Sequence, residues 1–425
     1  MASRGGDPEA ATRALRILFL APAMPYPPIW GSGVRNYHLL RHLSRHHEVT
    51  LVTYATSFDP AAERELGKIC ARAVYVPPPV ARSKRRTQFA TLFSRRSFHG
   101  NSLVTDELQT ALDGELSGEP YDIVFVAQSC MAGLRVAAEP ALTVLDEHNI
   151  EYEALLRSAV WERSPARKLY YFCEHVKHRR EEISAWKRVA ACTVTSGREA
   201  DIVRGVVPGK PVAVVKNSVD TEYFRPSDLA TDPDGVVFTG LMSYRPNVDA
   251  VHHFVRSVLP LILRERPRAH LTVVGAGPPD EVRRLAGPHV VVTGAVDDVR
   301  PYVGRASVVV VPIRFGGGTR FKVAEAMAMG KAVVATSLGA EGIGVRHRQE
   351  ILLADDPHSF AAAVLELLGD PSRARAMGVT GRAFAERNLS WLSAGTDLEQ
   401  FLVELSRGHV SEVRSDRGPI GLSSG

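Results

Sequence analysis

A chain of 425 residues with 45% apolar and 23% charged side chains is long for a single hydrophobic core, so two domains are the default expectation. Its 52 Lys and Arg outnumber its 47 Asp and Glu by five, but the arginines are spread along the chain; that gives no sign of a focused nucleic-acid surface and leaves a general attraction to anions, phosphorylated ligands and acidic membrane surfaces among them. The four cysteines, Cys70, Cys130, Cys173 and Cys192, lie far apart without a CxxC pair, which argues against a zinc site and a disulfide framework and points to a reducing, cytoplasmic compartment.

The first apolar run, residues 15–21, leads into Pro22, Pro25, Pro27 and Pro28 instead of a small-residue cleavage site, so it reads as a buried strand and not as a signal peptide. Unbroken β-branched runs follow at residues 49–53, 123–126 and 144–145, the pattern of parallel strands covered on both faces. Between the first two runs Tyr37, Leu39, Leu40 and Leu43 recur at near-helical spacing, predicting a βαβ unit whose crossover opens on the turn Gly31, Ser32, Gly33. Basic stretches occur at residues 82–86, 95–96 and 163–180, the last with Tyr170, Tyr171 and Phe172 interleaved; each reads either as a solvated helix face or as a surface for a membrane or a lipid phosphate.

Turn formers gather in residues 216–234, Asn217, Pro226, Asp228 and Pro233 among them, and suit an interdomain hinge with its boundary near residue 220. The strand pattern then restarts at residues 236–238, 271–274, 290–292, 308–311 and 333–335, predicting a second α/β domain. Helices are expected at residues 357–368 and 395–405, and the polar stretch 409–425, without an apolar period, is expected to be a disordered tail. No apolar run approaches the ~20 residues a membrane helix requires, so any membrane contact is expected to be peripheral.

The segment from Arg314 to Gly330 carries the densest chemistry. Gly316, Gly317 and Gly318 let backbone N–H groups approach a ligand, and the helix start that follows adds partial positive charge suited to phosphate oxygens. Thr319 lies in the same turn, and Arg320 and Lys322 add full charges for the same anion. Glu325, about one and a half turns into the helix, is placed to accept hydrogen bonds from ribose hydroxyls, and Gly330 to end the helix in a left-handed conformation. The bland alternative is a glycine-rich loop, a solvated charge pair and a packed helix. Two further positions have both a site reading and a structural one. His148 follows a buried strand in the polar cluster Asp146, Glu147, His148, Asn149, at the edge where open α/β sheets hold ligands. Glu341 either accepts sugar hydroxyls or caps the next element.

The block GGGTRFKVAEAMAMGKAVVATSLGAEGI resembles the donor-binding block of family 4 glycosyltransferases, and LFLAPAMPYPPIWGSGVRNYHLLRHLS, VLDEHNIEYEALL, VVKNSVDTEYFRP and VFTGLMSYRPNVDAVHHF resemble further family segments in the expected order. The resemblance implies the GT-B fold: two Rossmann-like α/β domains facing each other across a cleft, with a C-terminal helix returning to the first. The expected division is 1–220 for the acceptor side, 221–390 for nucleotide-sugar binding, a terminal helix over 391–408 and the tail beyond. Of the family's two signature glutamates, Glu325 matches the one that contacts ribose. The one that contacts the transferred sugar falls at Gly317, so the chain resembles a branch with a GGGTR-type loop, and the residue that holds the sugar ring is left open. The Arg and Lys that many members carry after the first strand of the second domain are also absent, which shifts phosphate neutralisation to Arg320 and Lys322.

By the same resemblance Gly33 faces the diphosphate, His148 stands beside the reacting sugar, and the loop around Val296 meets the base through its backbone. The implied chemistry is transfer from a nucleotide diphosphate sugar with retention of configuration and without a metal, onto a glycan, a lipid-linked saccharide or a natural product. Two alternatives stand beside it, a nucleotide-sugar epimerase of the same architecture and a non-catalytic sugar-nucleotide-binding protein.

Overall fold

The computed structural model describes residues 13–55, 59–79, 91, 94–136, 141–162, 164–318 and 320–416. Strands β1 (Arg16–Ala21), β2 (Glu48–Tyr54), β3 (Arg72–Val76), β4 (Ile123–Ala127), β5 (Leu142–Asp146), β6 (Ala191–Val194) and β7 (Val212–Val214) form a seven-stranded sheet in the order β3-β2-β1-β4-β5-β6-β7. A second sheet has six strands, β8 (Asp232–Thr239), β9 (His270–Val274), β10 (Val290–Gly294), β11 (Ala306–Val311), β12 (Ala332–Ala335) and β13 (Leu352–Leu353), in the order β10-β9-β8-β11-β12-β13. Every strand pairing in both sheets is parallel. These are two Rossmann-like α/β domains of the GT-B kind.

Both sheets are covered on both faces. In β1 Leu18 and Leu20 enter one core with Trp186, Val124 and Leu145, while Ile17, Phe19 and Ala21 enter the opposite core with Leu39, Leu40 and Leu43 of the helix Gly31–Leu43. The period of two sends alternate residues to opposite faces, and because both are dry the run reads as continuously apolar. In each sheet the strand order reverses direction once, between β1 and β4 and between β8 and β11. The loops after those strands splay apart there and leave a crevice at the carboxyl edge, the place where open α/β sheets bind ligands.

The chain passes between the domains twice, close together. Val219 N–H donates to Leu389 O at 2.7 Å, and Val219 forms a parallel bridge with Ser390. The helix Trp391–Asp416 then packs on the first domain, where Trp391, Ala394, Leu398 and Leu402 join the core of Phe19 and Leu39. Its partner there is the helix Gly31–Leu43: Glu399 lies 2.9 Å from His42 Nε2 and 2.8 Å from His46 Nδ1. The helix runs to Asp416, past residue 409 where the tail was expected; once a helix is nucleated, adding residues is easy, and no apolar period is needed to continue it. Residues 417–425 lie outside the described residues. So does the basic run 82–86.

Candidate active site

The chain leaves β11 at the reversal point of the second sheet and turns through the glycine loop into the helix Phe321–Ala328. Gly316 and Gly318 have φ of 102° and 76°. Thr319 lies outside the described residues. At Gly317 a Cβ would stand 2.5 Å from Asn149 Oδ1 and 2.9 Å from Ala154 Cβ, both across the cleft. The loop therefore touches the first domain, and no side chain fits at the position where the resemblance places a sugar-binding glutamate. Gly330, with φ of 68°, closes the helix beyond Met329.

Arg320 is the residue that begins this helix. It is buried, its guanidinium donates to Gly317 O, and its Nε has no partner among the described residues. Burial draws its pKa down, against the opposing effect of Tyr244. Lys322 Nζ lies 4.1 Å from the centre of the Phe238 ring and donates to Asn247 Oδ1 at 2.8 Å. A Cβ on Gly240 would come within 2.6 Å of Nζ, so the glycine after β8 is what leaves the ammonium room. Burial, then the charge of Arg320, bring its pKa down to about 7. Glu325 is pushed up to about 7, also by burial. Among the described residues neither Arg320 nor Lys322 has a carboxylate within ion-pairing distance. Two poorly solvated cations without an anion, at a helix N-terminus, are suited to an incoming anion.

The first-domain wall is built on a buried ion pair that joins distant parts of the chain. Arg35 donates to both carboxylate oxygens of Asp146, at 2.8 and 2.6 Å, and its remaining nitrogen reaches Val215 O at 2.8 Å and Asn217 Oδ1 at 3.1 Å. Thr193 Oγ1 donates to Asp146 at 2.6 Å. Burial alone would raise the Asp146 pKa, but the Arg35 guanidinium holds it well below the usual carboxylate range. His148 sits on this network: Nε2 is 3.0 Å from Asp146 Oδ2 and Nδ1 is 3.0 Å from Gln128 Nε2. Nδ1 is thus hydrogen-bonded within the first domain, Nε2 lies beside Asp146 without a hydrogen bond among the described residues, and burial lowers the ring's pKa despite Asp146. Gly33 packs under the Trp30 indole, a Cβ there falling 2.8 Å from Nε1, and it is Gly31 that faces the donor-side helix, where a Cβ would stand 3.3 Å from the Phe321 ring.

Glu341 is held across the cleft. Arg157, on the helix Glu151–Trp161, donates to it at 2.6 and 3.0 Å and to Gly316 O at 3.3 Å, and Arg198 Nε lies 3.8 Å away. These residues line a narrow cleft with Asn149, Gly317 and Gly318. Beside it a larger groove of about 1150 Å³ runs between Trp161 and the second-domain residues Arg245, His252, Arg284 and Arg314. Val296 follows β10 and packs, half-buried, against the second-domain core, which leaves the backbone of its loop as the part available to a ligand. Sequence reasoning brought out Arg320, Lys322 and Glu325. It missed Arg35, Tyr244, Asn247 and Arg157; the only signals for them are that Arg35 follows the first glycine turn and that Asn247 follows the first strand of the second domain. Among the described residues no group of three His, Cys, Asp or Glu side chains is arranged to hold a metal ion.

A nucleotide-binding enzyme of two facing parallel-sheet domains is the class this arrangement defines. The family model described as Glycosyltransferase Family 4 matches residues 29–223, and that of Glycosyl transferases group 1 matches residues 233–370. An uncharacterized 44.6 kDa protein of the cps region of Klebsiella pneumoniae is 21% identical over 387 residues, covering 88% of this chain and 96% of that protein. A GDP-mannose-dependent alpha-(1-6)-phosphatidylinositol monomannoside mannosyltransferase of Mycobacterium tuberculosis is 31% identical over 219 residues, 46% of this chain and 56% of its own length. Among solved structures, sucrose-phosphate synthase from Thermosynechococcus elongatus superposes with a TM-score of 0.70 at 18% identity, covering 93% of this chain and all of that one. The Anabaena protein HepE, solved with UDP and glucose, superposes with a TM-score of 0.64 at 14% identity over 92% of this chain and all of its own. The chain belongs to the GT-B glycosyltransferases of the family 4 and group 1 type, and it is a nucleotide-sugar glycosyltransferase.

Proposed function

We propose that the enzyme transfers a hexose from a nucleotide diphosphate sugar with retention of configuration, and that Arg320 and Lys322 activate the leaving group without a metal ion. The observation that carries this is the cationic pair behind the glycine loop, poorly solvated and without a carboxylate partner among the described residues. As the glycosidic bond breaks, negative charge grows on the departing diphosphate. The two side chains and the N–H groups at the start of Phe321–Ala328 are fixed in place before that charge appears, so they stabilise the transition state more than the ground state. Glu325 holds the ribose, the backbone around Val296 meets the base, and the donor sugar faces Asn149 and His148.

With no room for a side chain at Gly317, Glu341 is a second-domain carboxylate lining the cleft that can accept sugar hydroxyls through the lone pairs its Arg157 hydrogen bonds leave free. With Nδ1 held by Gln128 and Nε2 beside Asp146, His148 shapes the pocket together with these two residues. The acceptor, a glycan, a lipid-linked saccharide or a natural product, enters on the first-domain side, and a peripheral contact with the inner face of a membrane belongs to the same reading.

The test is a screen of UDP-, GDP- and dTDP-sugars for protection against thermal unfolding, followed by turnover with the sugar that protects. One base should raise Tm by about 5 °C at a hundredfold excess over Kd. Lys322→Ala should lower turnover at saturating donor and acceptor by 10²-fold or more, on the order of what is lost with a single group that stabilises developing charge. EDTA should leave the rate unchanged, and the product should keep the donor's anomeric configuration by NMR. Full turnover of Lys322→Ala would remove the charge-stabilising role.

A further inference from the structure

The helix Pro165–Arg188 buries Glu174, His178, Glu182, Ala185 and Trp186 against the first domain. Its outward side carries Leu169, Phe172 and Val176, which are 63%, 51% and 52% exposed. Their spacing of three and four residues puts them on one side of the helix, one above the other. Exposed cations share this side of the helix, Lys168 before the stripe and Arg179 and Arg180 after it. The helix's own acids point elsewhere: Glu174 and Glu182 are buried, and Glu181 accepts the Ser97 N–H at 2.7 Å. Among the described residues none of the three cations forms an ion pair. A face kept in water only for solubility has no use for Leu, Phe and Val side by side, and a second copy of the chain seated on it would bring two sets of three uncompensated cations together. Apolar side chains flanked by unpaired Lys and Arg match the boundary of an anionic bilayer, where the acyl region takes the first and the lipid phosphates the second.

We infer that this outward face docks on an anionic membrane surface. The docking is peripheral, since among the described residues no helix is long and apolar enough to cross a membrane. It also has a consequence for the cleft. The helix Glu151–Trp161, paired with this one in a hairpin, carries Arg157 to Glu341 and stacks Trp161 on Phe315 at 5.7 Å, so the part of the first domain that docks is the part that meets the donor loop.

Flotation of the full chain with vesicles tests this, comparing phosphatidylcholine alone with phosphatidylcholine carrying about 30% phosphatidylglycerol. The chain should float with the anionic vesicles only, and less well as salt is raised. Arg179→Ala and Arg180→Ala should each lower the partition coefficient about fivefold. Leu169→Ser combined with Phe172→Ser should lower it roughly tenfold or more. All of these side chains are exposed, so thermal unfolding of each variant should match the parent, which separates a lost surface from a lost fold. Three results would overturn the inference: no flotation with either vesicle, equal flotation with both that the variants leave unchanged, or a dimer by light scattering that Phe172→Ser dissociates, which would assign the stripe to a second copy.

Discussion

Lys322 gives the site a pH dependence whose sign follows from its burial. With a pKa of about 7, the resting amine is largely neutral at pH 8 and largely charged at pH 6. A bound diphosphate restores the charged form, so donor binding takes up a proton at pH 8 and little at pH 6. The donor Kd should therefore weaken above pH 7, approaching tenfold per pH unit, and calorimetry in buffers of different ionisation enthalpy should count the proton. Glu325 titrates in the same range. Glu325→Gln should bind the donor less tightly yet keep the slope, which isolates the lysine. Without donor the same burial opposes folding: between about 7 and the ordinary 10.5 the unfolded chain holds the proton that the folded one lacks, so this contribution to stability rises with pH, and below 7 the full penalty applies. Lys322→Met should accordingly raise the Tm of the ligand-free protein at pH 7.

Glu147 makes a parallel case away from the cleft. It is buried beside β5, accepts the Trp186 Nε1 hydrogen bond at 2.7 Å, and is pushed up to about 8, chiefly by burial. The folded chain keeps this proton over a range in which the unfolded chain has lost it, so stability falls as pH rises from the ordinary 4.5 through 8. Glu147→Gln keeps an acceptor for Trp186 and removes the titration. Its Tm should exceed the parent's at pH 8 and vary less between pH 5 and 9; a profile matching the parent's would move the effect to Glu182, which burial raises as well.

At the scale of elements, the helix Trp391–Asp416 is held to Gly31–Leu43 by fit as well as by charge. A Cβ on Gly395 would stand 2.2 Å from the His42 ring, whose Nε2 is held by Glu399. Alanine favours a helix over glycine, yet here the close approach decides, and Gly395→Ala should lose about 1–3 kcal/mol in denaturant unfolding, the usual penalty of overpacking. An increase in stability would mean that the two helices can separate without loss. Elements differ in how far the sequence announces them, and the reason is burial. β1, β4 and β11 are dry on both faces and read as unbroken apolar runs. The edge strands β3 and β13 are half-exposed or two residues long and gave no such run. The helix Pro371–Asn388 went unread because its buried positions are Met377, Gly378, Gly381 and Ala385, small residues that leave little apolar period. The glycine loop was legible because its parts are consecutive. Its supports were not, because Lys322 meets Asn247 across 75 residues, Arg35 meets Asp146 across 111 and Arg157 meets Glu341 across 184, pairings that only the fold creates.

Across the whole molecule, two chain passages at residues 219 and 389 form a hinge, and the opposite side of the cleft is closed by contacts from one hairpin. Arg157 binds Glu341 and Gly316 O, Trp161 stacks on Phe315, Glu162 pairs with Arg245, and Asn149 fits against Gly317. The Arg157–Glu341 pair is partly exposed on both sides, so its share of folding stability is small, about 1 kcal/mol or less after solvent screening. Its share of catalysis is expected to be larger, because it sets the position of the loop that holds the diphosphate and of the carboxylate proposed for the sugar. Arg157→Ala should shift Tm by no more than about 2 °C. With the donor found in the screen, kcat should fall tenfold or more, as small misplacements of reacting groups do. Arg245→Ala, which breaks a cross-domain pair away from the glycine loop, serves as the comparison. If both variants lose the same modest activity, closure as such is what matters; if only Arg157→Ala loses it, the arginine aligns the donor loop; and if Arg157→Ala turns over at the parental rate, the pair is packing and the sugar is held by other groups.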